Sequence, residues 1–171
     1  MRIQTLISTM NQKDFNLLEK MNISSDSIVI NQCNIESILN FVYKGYNVVW
    51  INSNEIGLSK SRNLALNHSD GDISLIADDD LEYVENYRSI ITNEFLRRPK
   101  ADIIVFQVEG IEKEFKKYKS KPKKLGFMSS MKISSVEIAF RTSKVKEKMI
   151  SFNPLFGAGG KYKMGEENIF L

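Results

Sequence analysis

Short apolar runs alternate with segments of helical periodicity through the first two thirds of the chain. The runs predict strands over residues 3–8, 27–31, 47–51, 73–77 and 102–108. The connections between strands and helices are short, and this favours a mainly parallel sheet with helices on both faces. We therefore expect an α/β protein with three layers.

One predicted helix rests only on the spacing of its apolar residues. The spacing i, i+3, i+4, i+7 is that of one helix face. It occurs at Ile35, Ile38, Leu39 and Val42, and Gly45 follows where such a helix would end.

Further helices are expected over residues 14–21, 58–67 and 81–97. Pro99 would close the last of these. Polar and apolar residues alternate over residues 134–141, and this predicts a strand with one exposed face.

Composition excludes several classes of protein. The chain has 171 residues, 42% of them hydrophobic and 26% charged, as expected for a single globular domain with an ordinary core. No apolar run has the length of a membrane span. The single Cys33 excludes an internal disulfide framework, and the single His68 argues against an all-protein zinc site. We expect a cytoplasmic protein.

Positive charge is concentrated in one segment. Residues 111–148 contain 12 Lys and Arg against four Asp and Glu, although the whole chain carries only +3. A solvated loop is one interpretation; peripheral contact with an anionic membrane, where each basic residue contributes about 1 kcal/mol, is the other. No stacking platform or recognition helix accompanies the charge, so a nucleic-acid partner is not expected.

Three consecutive carboxylates follow the predicted strand at 73–77. In open parallel sheets ligands bind at the carboxyl ends of the strands, which is where Asp78, Asp79 and Asp80 lie. One of them could cap the helix predicted at 81–97. Three adjacent carboxylates repel each other unless a cation lies between them, and Mg²⁺ or Mn²⁺ would join them to the phosphates of a substrate.

Two further motifs could bind a ligand. Arg62 lies in the first turn of the helix at 58–67, where an anion is favoured, although a surface Arg on a serine-capped helix is the simpler interpretation. Near the end of the chain, glycines at 157, 159 and 160 precede Glu166 and Glu167. Either a close backbone approach or an ordinary loop would explain this turn.

The order of these motifs resembles that of the family 2 glycosyltransferases. The family's P-x-Y/F-N element corresponds to "ISTMN", its G-x-x-x-x-R-N helix to "GLSKSRN", its acidic D-x-D to "GDISLIADDD", and its Gly-rich turn before E-D to "FGAGGKYKMGEE". Ser8 replaces the family's proline, and Glu167 replaces its Asp. The resemblance implies the GT-A fold, a Rossmann-like α/β/α arrangement with a mainly parallel central sheet.

The resemblance also implies a donor and metal site. Asp80 would bind Mn²⁺ or Mg²⁺ together with Asp78. Asp78 and Asp79 would contact the nucleotide-sugar, and Thr9 and Arg62 would contact its nucleotide. The metal would stabilise the departing nucleoside diphosphate.

The resemblance implies two more roles: a general base that acts on the acceptor, and a residue that contacts the nucleobase of the donor. Glu167, or failing that Glu166, would deprotonate the acceptor hydroxyl. The family usually has an Asp after the second strand that contacts the base; here Asn31 stands there, and its amide can still pair with uracil.

We therefore expect residues 1–171 to form one GT-A domain, with truncation at the C-terminal end as an alternative. The expected activity is metal-dependent, inverting transfer of a sugar, most simply from a UDP-sugar, to a glycan or lipid-linked acceptor in surface or capsular polysaccharide synthesis. The alternative is an inactive or partner-dependent module that binds nucleotide-sugars.

Overall fold

The computed structural model of the chain describes residues 1–111, 115–118, 122–163, 165–166 and 170. Its strands are β1 (Ile3–Met10), β2 (Asp26–Gln32), β3 (Ser37–Tyr43), β4 (Tyr46–Ser53), β5 (Ile73–Asp78), β6 (Ile103–Val105) and β7 (Ile138–Arg141). Its α-helices are α1 (Leu17–Lys20), α2 (Leu58–His68), α3 (Tyr87–Arg97), α4 (Phe127–Ser130) and α5 (Thr142–Glu147), and a 3₁₀ turn spans Ser135–Glu137.

The described strands form one sheet in the order β3-β4-β2-β1-β5-β7-β6. The four central strands β4, β2, β1 and β5 are parallel, and antiparallel strands flank them on both sides. The chain builds outward from β1 to β2 and β4, then returns to place β5 on the other side of β1. The order of the strands therefore reverses at the β1–β5 boundary, where ligands bind in open α/β sheets.

Apolar side chains cover both faces of this sheet. One core packs α2 and α5 against the central strands and includes Leu6, Leu66 and Val145. On the opposite face α1 packs through Leu18, and α3 packs through Phe95. The structure confirms the predicted three-layer α/β fold with a mainly parallel centre.

The helix predicted at residues 35–42 is wrong. Residues Ser37–Tyr43 form β3, which pairs antiparallel with β4. Lys44 and Gly45 have φ values of 49° and 85° and join the two strands in a two-residue turn, so Gly45 makes a hairpin rather than ending a helix. The segment is rich in β-branched and aromatic residues, and hairpin pairing therefore prevailed over the helical spacing of its apolar positions.

The helix predicted at residues 81–97 begins later than expected. It starts at Tyr87 with Asn86 as N-cap, so none of the three acids caps it. The intervening residues 81–84 have no regular secondary structure, and the amide of Tyr83 donates to the carbonyl of Met21 at 3.0 Å. Tertiary hydrogen bonding thus replaces the first helical turns and removes the capping interpretation of the acidic triplet.

The strand predicted at 134–141 is shorter and less exposed than its alternation indicates. It begins at Ile138 and lies between β5 and β6. Its consecutive residues Ile138, Ala139 and Phe140 are all buried, so both of its faces are covered. The preceding 3₁₀ turn is closed by a capping box between Ser134 and Glu137. No helix within the described ranges is long and apolar enough to cross a membrane.

Candidate functional site

Polar residues line the carboxyl ends of the central strands. Register pairs Ser8 of β1 with Asp78 of β5, and Thr9 of β1 with Asn31 of β2. Asn31 in turn is paired with Asn52 of β4. The strands below are buried and apolar, so the polar side chains are collected at one edge of the sheet, at the point where the strand order reverses.

Arg62 lies at the centre of this edge and is only 2% exposed. It projects from α2, and its Nη2 donates to both oxygens of Asp78, at 2.9 and 3.2 Å. The same nitrogen donates to the Ser135 hydroxyl at 2.7 Å, and Nη1 donates to Glu166 at 3.0 Å. The ring of Phe152 packs against the guanidinium, 5.5 Å from its carbon. Arg62 is therefore an internal cation that joins two of the predicted motifs.

The Gly-rich turn packs against the beginning of α2. The carbonyl of Ala158 accepts from the amide of Leu58 at 2.9 Å, and the carbonyl of Phe156 accepts from the Ser59 hydroxyl at 2.7 Å. Gly157 has a φ of 94°, and a β-carbon there would lie 3.2 Å from the Glu166 carboxyl carbon and 3.3 Å from Ser59. The positive φ, together with this close approach to two side chains, favours a glycine at this position.

The second acid of the triplet is tied to β1. The hydroxyl of Thr9 donates to Asp79 at 2.5 Å and accepts from the Gln12 amide at 2.9 Å. Thr9 is buried, whereas Asp79 is exposed. These bonds fix the direction of Asp79 without removing it from solvent, so its second oxygen stays accessible to a ligand.

Asn31 lies near the carboxyl end of β2 and borders the site. It is 1% exposed, its oxygen accepts from the backbone amide of Gln12 at 2.9 Å, and its nitrogen donates to the Gln12 carbonyl at 3.0 Å and to Asn52 at 2.8 Å. Both amide protons are thus used within the protein. The contact between Asn31 and a nucleobase stays a prediction. It requires Asn31 to give up one of these internal hydrogen bonds and bond to the nucleobase instead.

Asp80 is the acid of the triplet with the fewest internal contacts. It is exposed, and among the described residues it takes part in no hydrogen bond or ion pair, while Asp78 and Asp79 are both engaged. No group of three potential metal ligands is assembled within the described part of the chain. The oxygens present still suit a hard cation that takes only one or two protein carboxylates, with water and phosphate supplying the remaining ligands.

The two candidates for the general base are the neighbouring residues Glu166 and Glu167. Glu166 is buried and paired with Arg62, so little of its carboxylate is accessible to an acceptor. Glu167 lies outside the described residues. The pairing of Glu166 favours Glu167 over Glu166 as the residue available to an acceptor, and this assignment stays a prediction.

A tyrosine lies beside the acidic triplet. Burial, with smaller contributions from Tyr87 and the negative charge of Asp78, raises the pKa of Tyr83 above its ordinary value. Its ring stacks on that of Tyr87 at 4.3 Å. The phenol therefore stays protonated through the physiological pH range.

Several residues of the site were not predicted from the sequence. Gln12, Asn52 and Ser135 all bond to predicted site residues. Gln32 accepts from the amide of Gly57 at 2.7 Å and so positions the start of α2. For Gln32 and Asn52 a signal exists, since each is a polar residue at the end of an apolar strand; for Ser135 we see none.

The family model "Glycosyl transferase family 2" matches residues 28–165, most of the chain. The chain therefore belongs to glycosyl transferase family 2. No match was found among curated protein sequences.

Solved structures of S. aureus TarS share the fold. The crystal structure of TarS 1–349 matches with a TM-score of 0.73 at 16% identity, over 99% of this chain and 54% of that one. The structure of the same fragment with UDP-GlcNAc matches with a TM-score of 0.64 over 90% of this chain and 49% of that one, also at 16% identity. A third, with UDP, gives 0.64 over 99% and 54% at the same identity. The chain spans about half the length of these structures, and the predicted GT-A fold is confirmed.

Proposed function

We propose that the chain transfers a sugar from a nucleotide-sugar, in the first instance a UDP-sugar, to a hydroxyl of a glycan or lipid-linked acceptor. The observation that carries the proposal is the bridging of Asp78 and Glu166 by the buried Arg62. This bridge brings the acidic strand end and the Gly-rich turn, which are far apart in sequence, into one site at the β1–β5 boundary. Family membership and the likeness to TarS, solved with UDP-GlcNAc and with UDP, support a nucleotide-sugar donor.

We propose separate roles for the three acids. Asp80, exposed and without internal partners in the described residues, would hold Mn²⁺ or Mg²⁺. Asp78 is directed by Arg62, and because its side chain is still 34% exposed, it would contact the metal or the donor. Asp79, fixed by Thr9, would contact the nucleotide-sugar. When bound, the metal would neutralise charge on the departing diphosphate.

Arg62 and Thr9 would act through other residues rather than by contacting the nucleotide themselves. Both side chains are buried, and each already donates to a carboxylate of the triplet. Each would orient an acid that faces the donor, so that the carboxylates stay in place as the ligand binds.

For the acceptor side we propose Glu167 as general base. A carboxylate in the turn that Arg62 holds beside the acidic strand end would lie near the sugar's anomeric carbon. It would accept the proton of the attacking hydroxyl while the oxygen displaces the nucleoside diphosphate in one step, which inverts the anomeric carbon. General-base catalysis of this kind contributes about 10²–10⁴-fold.

A panel of sugar nucleotides with Mn²⁺ tests the function. We expect one UDP-sugar to release UDP faster than GDP- and CDP-sugars release their diphosphates, and Glu167→Gln to lower that rate by about 100-fold or more. Retained UDP binding without sugar transfer or slow hydrolysis would instead favour the alternative, an inactive or partner-dependent binding module.

The setting of the reaction is a further part of this proposal. We propose a cytoplasmic protein that meets lipid-linked acceptors for surface or capsular polysaccharide at an anionic membrane face. The basic segment supports this, although Lys116 is engaged internally with the buried Glu137. The basic side chains available to a membrane are therefore other members of the segment, such as the exposed Lys123 and Lys124.

Vesicle co-sedimentation tests the membrane contact. We expect more protein with anionic than with neutral vesicles, and the excess to fall when Lys123 and Lys124 are both replaced by Gln. Replacing the exposed Lys13 and Lys20 by Gln provides a charge-matched control elsewhere on the surface. Equal binding to the two kinds of vesicle would refute the contact.

A further inference from the structure

The strand β3 forms an open edge of the sheet. Within the part of the chain that the structure describes, it pairs with β4 alone, and its seven residues include no charge, proline or bulge. Ile38, Leu39 and Val42 are 56%, 43% and 67% exposed. Proteins usually protect such an edge by shortness, charge, proline or a bulge. The opposite edge, β6, has only three residues, whereas β3 has none of these protections.

The hairpin determines which main-chain groups of β3 are free. Its two-residue turn, Lys44 and Gly45, places Tyr43 directly opposite Tyr46. In such a hairpin the flanking pair exchanges hydrogen bonds, and bonded pairs then alternate along the strands. Every second residue before Tyr43 therefore bonds to β4. The N–H and C=O groups at the free edge belong to Ile38, Asn40 and Val42.

The sequence of β3 is complementary to itself when two copies run antiparallel about Asn40. In this register Asn40 faces Asn40 of the second copy, and Ile38 faces Val42. On the other side of the sheet Leu39 faces Phe41. The residues with free main-chain groups oppose one another, so their hydrogen bonds can form as an antiparallel ladder, with apolar side chains paired on both sides.

Charge is complementary at both ends of the same register. Glu36 directly precedes the strand and Lys44 directly follows it, and each would face the other across the two copies. Both side chains are exposed, and Glu36 has no ion-pair partner in the part of the chain that the structure describes. The Lys44 ammonium rests 5.1 Å from the centre of the Tyr43 ring. One register thus satisfies main-chain bonding, apolar pairing and charge together.

We propose that β3 pairs with β3 of a second copy of this chain, antiparallel and centred on Asn40, so that the sheet continues across a twofold axis. The contact is isologous, and its symmetry limits assembly to a dimer. Phe15, 43% exposed with its ring 4.6 Å from that of Phe41, adds apolar surface beside the pairing strands.

Sedimentation equilibrium of the purified protein tests this pairing. We expect a dimer, and we expect Asn40→Lys to weaken it by about tenfold or more because like charges would face each other on the axis. Asn40 is exposed, so the variant should keep the unfolding midpoint of the wild-type monomer. Asn67→Lys, exposed at the end of α2, adds the same charge away from the edge and should leave the dimer unchanged.

A charge reversal tests the register itself. Glu36→Lys alone should weaken the dimer, and adding Lys44→Glu should restore it, because the pair is reversed at both ends. A wild-type monomer at all soluble concentrations, a dimer insensitive to Asn40→Lys, or a double reversal no tighter than Glu36→Lys alone would overturn the proposal.

Discussion

The guanidinium of Arg62 lies 3.0 Å from the carboxylate of Glu166, a residue that follows it by 104 positions. The other end of the same guanidinium holds Asp78 at 2.9 Å. A single buried cation therefore contacts both the strand end predicted to bind the donor and the turn predicted to supply the general base. A change at Arg62 should affect both parts of the site.

Arg62→Ala should destabilise the fold and weaken donor binding together. Removing one partner of a buried pair leaves an uncompensated charge, which costs about 3–5 kcal/mol. Urea unfolding and UDP titration measure the two effects. Arg62→Lys should recover only part of each, because a single ammonium cannot reproduce the bonds to two carboxylates and a hydroxyl.

Arg97→Ala is the matched control, since Arg97 is 74% exposed at its side chain and its one ion pair among the described residues is with Glu94. It should change stability little, as exposed ion pairs contribute at most about 1 kcal/mol. If Arg62→Ala were as mild as Arg97→Ala, the central role given to Arg62 would be wrong.

Gly157→Ala should displace the Gly-rich turn. A β-carbon there would press on the side chains of Glu166 and Ser59 and require them to shift, and the positive φ adds left-handed strain of about 1–2 kcal/mol. We expect lower sugar transfer with a larger loss in kcat than in UDP affinity, measured by UDP release and calorimetry.

Gly45→Ala provides the comparison for strain alone. Gly45 has a similar φ of 85°, and a β-carbon there meets nothing within 4 Å. This variant should lose stability and keep its rate of transfer. Equal loss of transfer in both variants would show that strain, and not the approach to Glu166, explains the effect.

Asn31→Ala should destabilise the β2 side of the site. It removes the partner of the half-buried Gln12 and Asn52, at a cost of at most about 1–3 kcal/mol. Because Gln12 also bonds to Thr9, UDP affinity should fall as well. The exposed Asn34→Ala serves as control in the same unfolding and calorimetry experiments, and an Asn31→Ala protein as stable as that control would contradict this account.

The sequence was sufficient for the central sheet because buried parallel strands are continuous apolar runs, as at Ile28 and Ile76. It failed where tertiary pairing decided between two local structures. Ile38 and Val42 have helical spacing but lie in a hairpin, whose turn at Gly45 specifies the strand pairing more strongly than the spacing specifies a helix.

The sequence predicted most of the residues of the site, but only part of the contacts between them. Acidic residues after an apolar strand indicate a ligand-binding edge, and the late start of α3 removes the competing view that they cap a helix. The burial of Arg62 was not predictable, because its partners Glu166 and Ser135 are separated from it by 104 and 73 positions. Spacing along a chain carries no information on contacts so remote.

Calorimetric titration of the protein with UDP, with and without Mn²⁺, tests whether the acidic strand end binds a nucleotide through a metal. We expect binding that requires Mn²⁺, is lost in Asp80→Ala and is retained in Glu82→Ala, a nearby exposed carboxylate. Metal-dependent binding that survives in Asp80→Ala would contradict the metal assignment. Absence of UDP, GDP and CDP binding in the presence of Mn²⁺ would contradict the nucleotide-sugar site itself.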